Sequence, residues 1–263
     1  NMSKACQLFS GSKGNSIYLS CSSGKFLIDV GVSAKRIEKA LDEIGVSPND
    51  LCGIFVTHEH SDHISGLRVF ACRYNLDVYA HPDVIVAMRN TKKIDDKVKT
   101  KEISSPLELS GVKIIPFENS HDSVACLGYR FDMSDGRSIC VCTDTGYVTD
   151  DAREKMQGCD LAFLESNHEV TMLQNGTYTY QLKQRILSNS GHLSNDSCAE
   201  YACELVRGGT TRIVLSHLSR ENNMPDIAYQ TTLCALRQEG FKENKDFRLS
   251  VSPQENHERP IVL

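Results

Sequence analysis

Short apolar runs alternate with longer amphipathic stretches along most of the chain. Residues 16–20 (Ser-Ile-Tyr-Leu-Ser) and 25–30 (Lys-Phe-Leu-Ile-Asp-Val) read as a hairpin bridged by the polar Ser22-Ser23-Gly24. Ile37, Leu41 and Ile44 then recur at helical spacing, with Ser33 in place to cap that helix and Gly45 to stop it. Ile54-Phe55-Val56 is a short buried strand, and a helix is expected from about Ser61 to Tyr74. The stretch 103–145 reads as β throughout, with Asp135-Gly136 as a hairpin turn. Alternation then returns: a strand over 160–164, helices near 178–189 and 195–206, a strand over 212–216, a helix at 225–239 and a last strand over 247–251. The tail, 252–263, shows no clear signal. Strands interleaved with helices around a β-rich centre imply sheets in the middle and helices outside.

Composition narrows the class. A chain of 263 residues can bury most of its apolar surface without disulfides or metals as staples. Hydrophobic content of 40% and charged content of 24% exclude disorder as a global description. No window approaches the ~18 apolar residues of a membrane helix, so no membrane partner is expected. Asn1 ahead of Met2 reads as a cloning remnant, and the segment that follows lacks the features of a secretion signal. Eleven cysteines, an odd number with no C-x-x-C pair, then indicate a reducing compartment and a cytoplasmic protein. They read as small core hydrophobes. A net charge of −5 argues against a surface that binds nucleic acid everywhere, though not against a local basic channel. Residues 89–101 carry six basic and two acidic side chains, read first as a solvated face.

Candidate chemistry concentrates in Thr57-His58-Glu59-His60-Ser61-Asp62-His63, directly after the strand Ile54-Phe55-Val56. In extended chain, side chains two apart share a side, so His58 and His60 project together. Asp62 and His63 follow where the chain turns into a helix. One metal suits the imidazole pair and a second suits the Asp–His pair. These donors favour zinc, manganese or iron over calcium or magnesium.

This H-x-H-x-D-H pattern, extended by Gly66, resembles the signature of the metallo-β-lactamase superfamily. Asp29, His121, Asp144 and His217 match further superfamily positions in order along the chain. The resemblance implies a single domain over 1–263, an α/β (α+β) fold built as a four-layer αββα sandwich, and two divalent transition metals. One metal takes His58, His60 and His121, and the other takes Asp62, His63 and His217, with Asp144 between them. Asp29 is expected to orient a ligand histidine. Gly191-His192-Leu193-Ser194 and Glu165 resemble the general-acid pair of ribonuclease Z-like phosphodiesterases. A carboxylate beside an imidazole raises its pKa and keeps it protonated.

Ser10-Gly11-Ser12-Lys13-Gly14-Asn15, Thr143–Val148 and Glu165-Ser166-Asn167-His168, taken with the motifs above, are similar to the YycJ/WalJ family. That family implies an exonuclease acting on DNA with 5′-to-3′ sense, linked to cell-wall two-component signalling. Asp62 would orient the nucleophile and take its proton; His192, held by Glu165, would protonate the leaving oxygen. Ser12, Asn15 and His168 are candidates to contact substrate or to support a ligand. The 10–15 segment reads equally as a phosphate cradle or a tight turn. His81 and His257 carry no expected role. Between His121 and Asp144 stand 22 residues, too few for the long tRNA-gripping arm of ribonuclease Z. The competing readings are hydrolysis of a small acyl substrate (thioester, lactone or lactam) and a regulatory binding protein. Nucleic acid, DNA rather than RNA, is the expected partner, and the reading leaves room for a homodimer.

Overall fold

The computed structural model describes residues 2–263; Asn1 lies outside them. Two seven-stranded sheets form its centre. The first sheet comprises β1 (Lys4–Phe9), β2 (Ser16–Ser20), β3 (Lys25–Ile28), β4 (Gly53–Phe55), β5 (Asp77–Ala80), β6 (Lys99–Glu102) and β14 (Ile261–Val262), in the order β14-β1-β2-β3-β4-β5-β6. The second comprises β7 (Leu107–Leu109), β8 (Val112–Glu118), β9 (Leu127–Asp132), β10 (Ser138–Cys142), β11 (Leu161–Glu165), β12 (Arg212–Ser216) and β13 (Arg248–Val251), in reverse sequence order. Strands β3 to β6 run parallel, as do β10 to β13.

The central strands β10 and β11 are nearly continuous apolar runs because both faces are buried. In β11, Leu161 and Phe163 enter the core between the sheets, whereas Ala162 and Leu164 face the outer helices. The same alternation in β10 sends Ile139 and Val141 inward and Cys140 and Cys142 outward. Between the sheets, Phe55 meets Phe131 edge-on at 5.2 Å between ring centroids. Outside the first sheet pack α1 (Ala34–Glu43), α2 (Ser61–Ile64), α3 (Leu67–Tyr74) and α4 (Pro82–Asn90). Outside the second pack α5 (Asp150–Met156), α8 (Asn195–Arg207) and α9 (Pro225–Gln238). Two short helices, α6 (Val170–Asn175) and α7 (Tyr180–Leu187), lie between β11 and α8 in sequence. The result is the four-layer αββα sandwich. Among the described residues, no helix is long and apolar enough to cross a membrane.

Several sequence expectations need correction. The helix expected over 61–74 is two helices, broken at Ser65-Gly66. A Cβ on Gly66 would lie 1.9 Å from the Val32 carbonyl oxygen, so the backbones touch there and the helix axis must change. Ser33 occupies the cap position of α1 without making a side-chain capping bond. The tail is structured after all: β14 pairs with β1, a two-residue strand too short to show a period. All eleven cysteines are free, and eight are buried; Cys52 is half-buried, and Cys72 and Cys234 are exposed rather than in the core.

Candidate metal centre

The site residues stand at the C-terminal ends of parallel strands, where ligands collect in open α/β sheets. Asp29 follows β3 and His58 follows β4; Asp144 follows β10, Glu165 ends β11 and His217 follows β12. The first sheet thus supplies one half of the site and the second sheet the other. His121 enters from the loop between β8 and β9, and His192 from the loop before α8.

The donor atoms of His58, His60 and His121 lie within 4.8 Å of one another, as do those of Asp62, His63 and His217. Asp144 sits between the two groups. Its Oδ2 is 3.3 Å from His63 Nε2, and its Oδ1 is 3.5 Å from His217 Nε2 and 3.8 Å from His121 Nε2. His58 Nε2, His217 Nε2 and Asp144 Oδ2 are buried without any hydrogen-bond partner. Orphaned buried polar atoms are rare and costly. Each belongs to one of the donor groups around the site, and divalent cations held by those groups would satisfy all three. The donor set therefore fits a metal.

A ring of supporting groups fixes the imidazoles through their other nitrogens, an arrangement typical of metal-binding histidines. His63 Nδ1 donates to Asp29 Oδ2 at 2.6 Å, as expected of Asp29. Thr57 Oγ1 donates to the same carboxylate oxygen at 2.8 Å and lies 2.9 Å from His58 Nδ1. His121 Nδ1 donates to the Gly191 carbonyl at 3.0 Å, and His217 Nδ1 to Glu165 Oε1 at 2.8 Å. Glu165 Oε1 also accepts from His192 Nδ1 at 2.8 Å. One carboxylate therefore holds both a candidate ligand and the candidate acid. Thr57, the dual role of Glu165 and Ser10, whose Oγ accepts from the His217 amide at 2.8 Å, escaped the sequence reading. The position of Thr57 beside His58 was the available signal for the first; Ser10 and Glu165 stood in the motifs, but nothing local marked their contacts to His217.

Charges follow from these contacts. Burial pushes the His58 and His121 pKa values down, which leaves neutral imidazoles with lone pairs to offer. Burial also opposes charge on His63, but Asp144 and Asp29 outweigh it and raise its pKa. Burial alone would raise the Glu165 carboxyl; facing His192 and His217 hold it at about 2. In turn Glu165 outweighs the burial of His192 and raises the imidazole pKa. The Nδ1 bond to Glu165 leaves His192 Nε2 to the cleft.

That cleft has a volume of about 230 Å³ and exposes His60, Asp62, His121, Asp144, His192 and His217. Ser12 and Asn167 join its wall. Asn15 lies behind it, its Nδ2 3.3 Å from Asp62 Oδ2. The 10–15 segment closes a tight turn: Gly11 N donates to Asn15 Oδ1, Gly14 N to Gly11 O and Asn15 N to Asp62 O. Those amides are already occupied. His168 is buried outside the cleft wall, its Nδ1 against Asn167 Oδ1 at 3.2 Å and its pKa pushed down to about 4 by burial. His81 accepts from Asp83 N at the start of α4, and His257 pairs with Glu43 on the surface.

Comparison with known proteins agrees with this architecture. A family model described as beta-lactamase superfamily domain matches residues 25–218. The chain is 42% identical over 246 residues to Exodeoxyribonuclease WalJ of Streptococcus pneumoniae serotype 2, covering 92% of this chain and 91% of that protein. It is 35% identical to Exodeoxyribonuclease YycJ of Bacillus anthracis, covering 92% of each. Among solved structures, the metallo-beta-lactamase fold protein YhfI from Bacillus subtilis superposes with a TM-score of 0.72 at 18% identity, over 97% of this chain and 98% of that one.

Proposed function

The chain belongs to the metallo-β-lactamase superfamily and, within it, to the YycJ/WalJ family, and from that membership we propose that it is a metal-dependent exodeoxyribonuclease acting with 5′-to-3′ sense. The observation that carries the phosphodiesterase chemistry is His192, seated on Glu165 beside the cluster with Nε2 free. A phosphodiester releases a poor, basic leaving oxygen and gains from a proton donor; acyl hydrolysis at the same cluster has less need of one. The names of the relatives at 42% and 35% identity support DNA as the substrate.

His58, His60 and His121 would hold one divalent cation, and Asp62, His63 and His217 a second, with Asp144 between them. Zinc or manganese suits these donors, and iron is a third choice. When bound, such cations supply Lewis acidity toward a phosphoryl oxygen and make a coordinated water more acidic. The protein does the rest. Asp62, whose carboxylate reaches the cleft, orients the attacking water and accepts its proton. The bond from phosphorus to the leaving oxygen breaks as that oxygen takes the proton from His192 Nε2. Glu165 keeps His192 charged and aimed, and Asp29 does the aiming for His63. The reading sets the protein in the cytoplasm, in keeping with its free thiols.

The test is metal analysis joined to a substrate panel of duplex DNA, single-stranded DNA, RNA and acyl esters, each with zinc and with manganese. We expect end-dependent release of nucleotides from DNA. Asp62→Ala should lose metal and activity together. His192→Ala should keep its metal and lose roughly 10²- to 10⁴-fold in turnover. Ester turnover without DNA cleavage would overturn the nuclease reading, and full activity of His192→Ala on DNA would overturn the acid assignment.

A further inference from the structure

The cleft wall has two chemically distinct parts. One part comes from the loops 10–15 and 217–221, which contribute the hydroxyls of Ser12 and Ser219. Each serine is followed by a cation, Lys13 and Arg220, and these two line a common small hollow beside the cleft. Arg36 in that hollow is paired with Glu255 at 2.8 Å, whereas Lys13 and Arg220 are exposed and stand in no ion pair among the described residues. The other part comes from α7 and the residues before it. Tyr178, Leu182 and Ile186 face the cleft there, and Arg185 is tied to Asp122. No residue of α7 is buried, so these apolar groups are half-covered with no core to account for them.

The basic run 89–101 is badly placed to serve the same cleft. Strand β6 pairs in parallel with β5, Asp77 opposite Lys99 and Ala80 opposite Glu102. The site lies beyond the C-terminal ends of the parallel strands, so acidic Glu102 stands at the nearer end of β6 and Lys99 at the far end. Lys13 and Arg220 lie beside the cleft and stand in no ion pair among the described residues.

We propose that Tyr178, flanked by Leu182, is a stacking wall for the base of the nucleotide being removed, while Lys13 and Arg220 seat the phosphates of the same strand. This deepens the nuclease reading and rests on it. The cleft, about 230 Å³, matches the end of one strand better than a stack of base pairs, and on this proposal the terminal nucleotide leaves its neighbour to enter. An apolar ring replaces the stacking it loses. Stacking also accepts every base, since each has a π-face. The enzyme would then be indifferent to base identity but would require a base to be present.

The experiment compares kcat/KM on a duplex whose terminal nucleotide carries a base with one whose terminal nucleotide is abasic. Wild-type protein should lose about tenfold on the abasic end. Tyr178→Ala should lose about the same on normal DNA and nothing further on the abasic end, and Tyr178→Phe should keep the preference for an end that carries a base, because the ring and not the hydroxyl does the stacking. Lys13→Ala combined with Arg220→Ala should raise KM far more than it lowers kcat. It should also flatten the slope of log affinity against log salt by roughly 1.4–1.8, the release of about two phosphate contacts. Equal wild-type rates on the two ends overturn the stacking wall without reference to any variant, and an unchanged salt slope overturns the phosphate seat. Wild-type protein that leaves DNA intact with either metal brings down the nuclease reading and this proposal with it, a result distinct from active protein that ignores the missing base.

Discussion

Glu165 is the residue on which the most geometry depends. Its Oε1 accepts from His192 and His217, each at 2.8 Å, and its Oε2 accepts from the backbone amides of Thr145 at 2.9 Å and Leu193 at 3.2 Å. Four donors therefore converge on two oxygens inside a fully buried pocket. Glu165→Gln keeps the shape but not the pattern. Whichever way the amide is turned, its NH2 faces two donors. Leaving two buried donors unmet costs about 1–3 kcal/mol each, so stability should fall by roughly 2–6 kcal/mol. Turnover should fall at least about 100-fold as His192 loses both its charge partner and its orientation. Metal content should fall too, because His217 loses its anchor. Thermal unfolding and metal analysis on one preparation check all three, and a variant with wild-type metal content would show that His217 does not depend on Glu165.

At the level of elements, the site is made by strand ends that bend. Asp29, Asp144 and His217 have φ of 61°, 59° and 58°, the left-handed region that side-chain-bearing residues seldom enter. Each follows the end of a strand and turns its side chain into the site, and such strain is concentrated at functional positions. Two glycines let the loops close around it. A Cβ on Gly31 would lie 1.8 Å from the Asp62 carbonyl oxygen, and one on Gly66 1.9 Å from that of Val32. Backbone bonds lace the same segments together, Val30 N to His63 O at 2.9 Å and Gly66 N to Val30 O at 3.0 Å. Gly31→Ala must therefore push the Asp62–His63 turn aside. We expect a loss of about 3 kcal/mol in stability, at the upper end of ordinary overpacking, and reduced occupancy of the Asp62–His63–His217 cluster. Unfolding in denaturant and metal titration measure both, and unchanged values would mean that the loop yields freely. This level also marks what could be read in advance. The central strands of the second sheet, β10 to β12, were legible because they are apolar on both faces, and His58 to His63 because four donors crowd six residues. The break at Gly66 was not, since amphipathic periodicity continues across it and the cause is Val32, distant in sequence. Neither was α6, six residues with one buried side chain, too short to show a period.

For the whole molecule, the important fact is that the site is divided between the sheets. His58, His60, Asp62 and His63 follow β4 of the first sheet; His121, Asp144 and His217 follow strands of the second. What joins the sheets elsewhere is the apolar layer containing Phe26, Phe55, Phe131 and Phe163, which resists separation but is non-directional. At the site end, the inward-facing atoms of His58, His217 and Asp144 have no hydrogen-bond partners. Cations bonded to both halves would therefore lock the sheets at the site end, and would satisfy buried groups that the protein alone leaves unmet. Binding to the folded state alone, at about 1,000 times the dissociation constant, stabilises by about 4 kcal/mol. For a chain of this size that moves Tm by roughly 10 °C. Chelation should lower Tm by about that amount, and added zinc or manganese should restore it. His58→Ala should blunt the response, because one cluster then lacks a donor. Calorimetry with and without chelator, on wild type and variant, provides the measurement. A Tm that ignores chelation in metal-loaded protein would mean that the two halves are held together by their apolar interface alone.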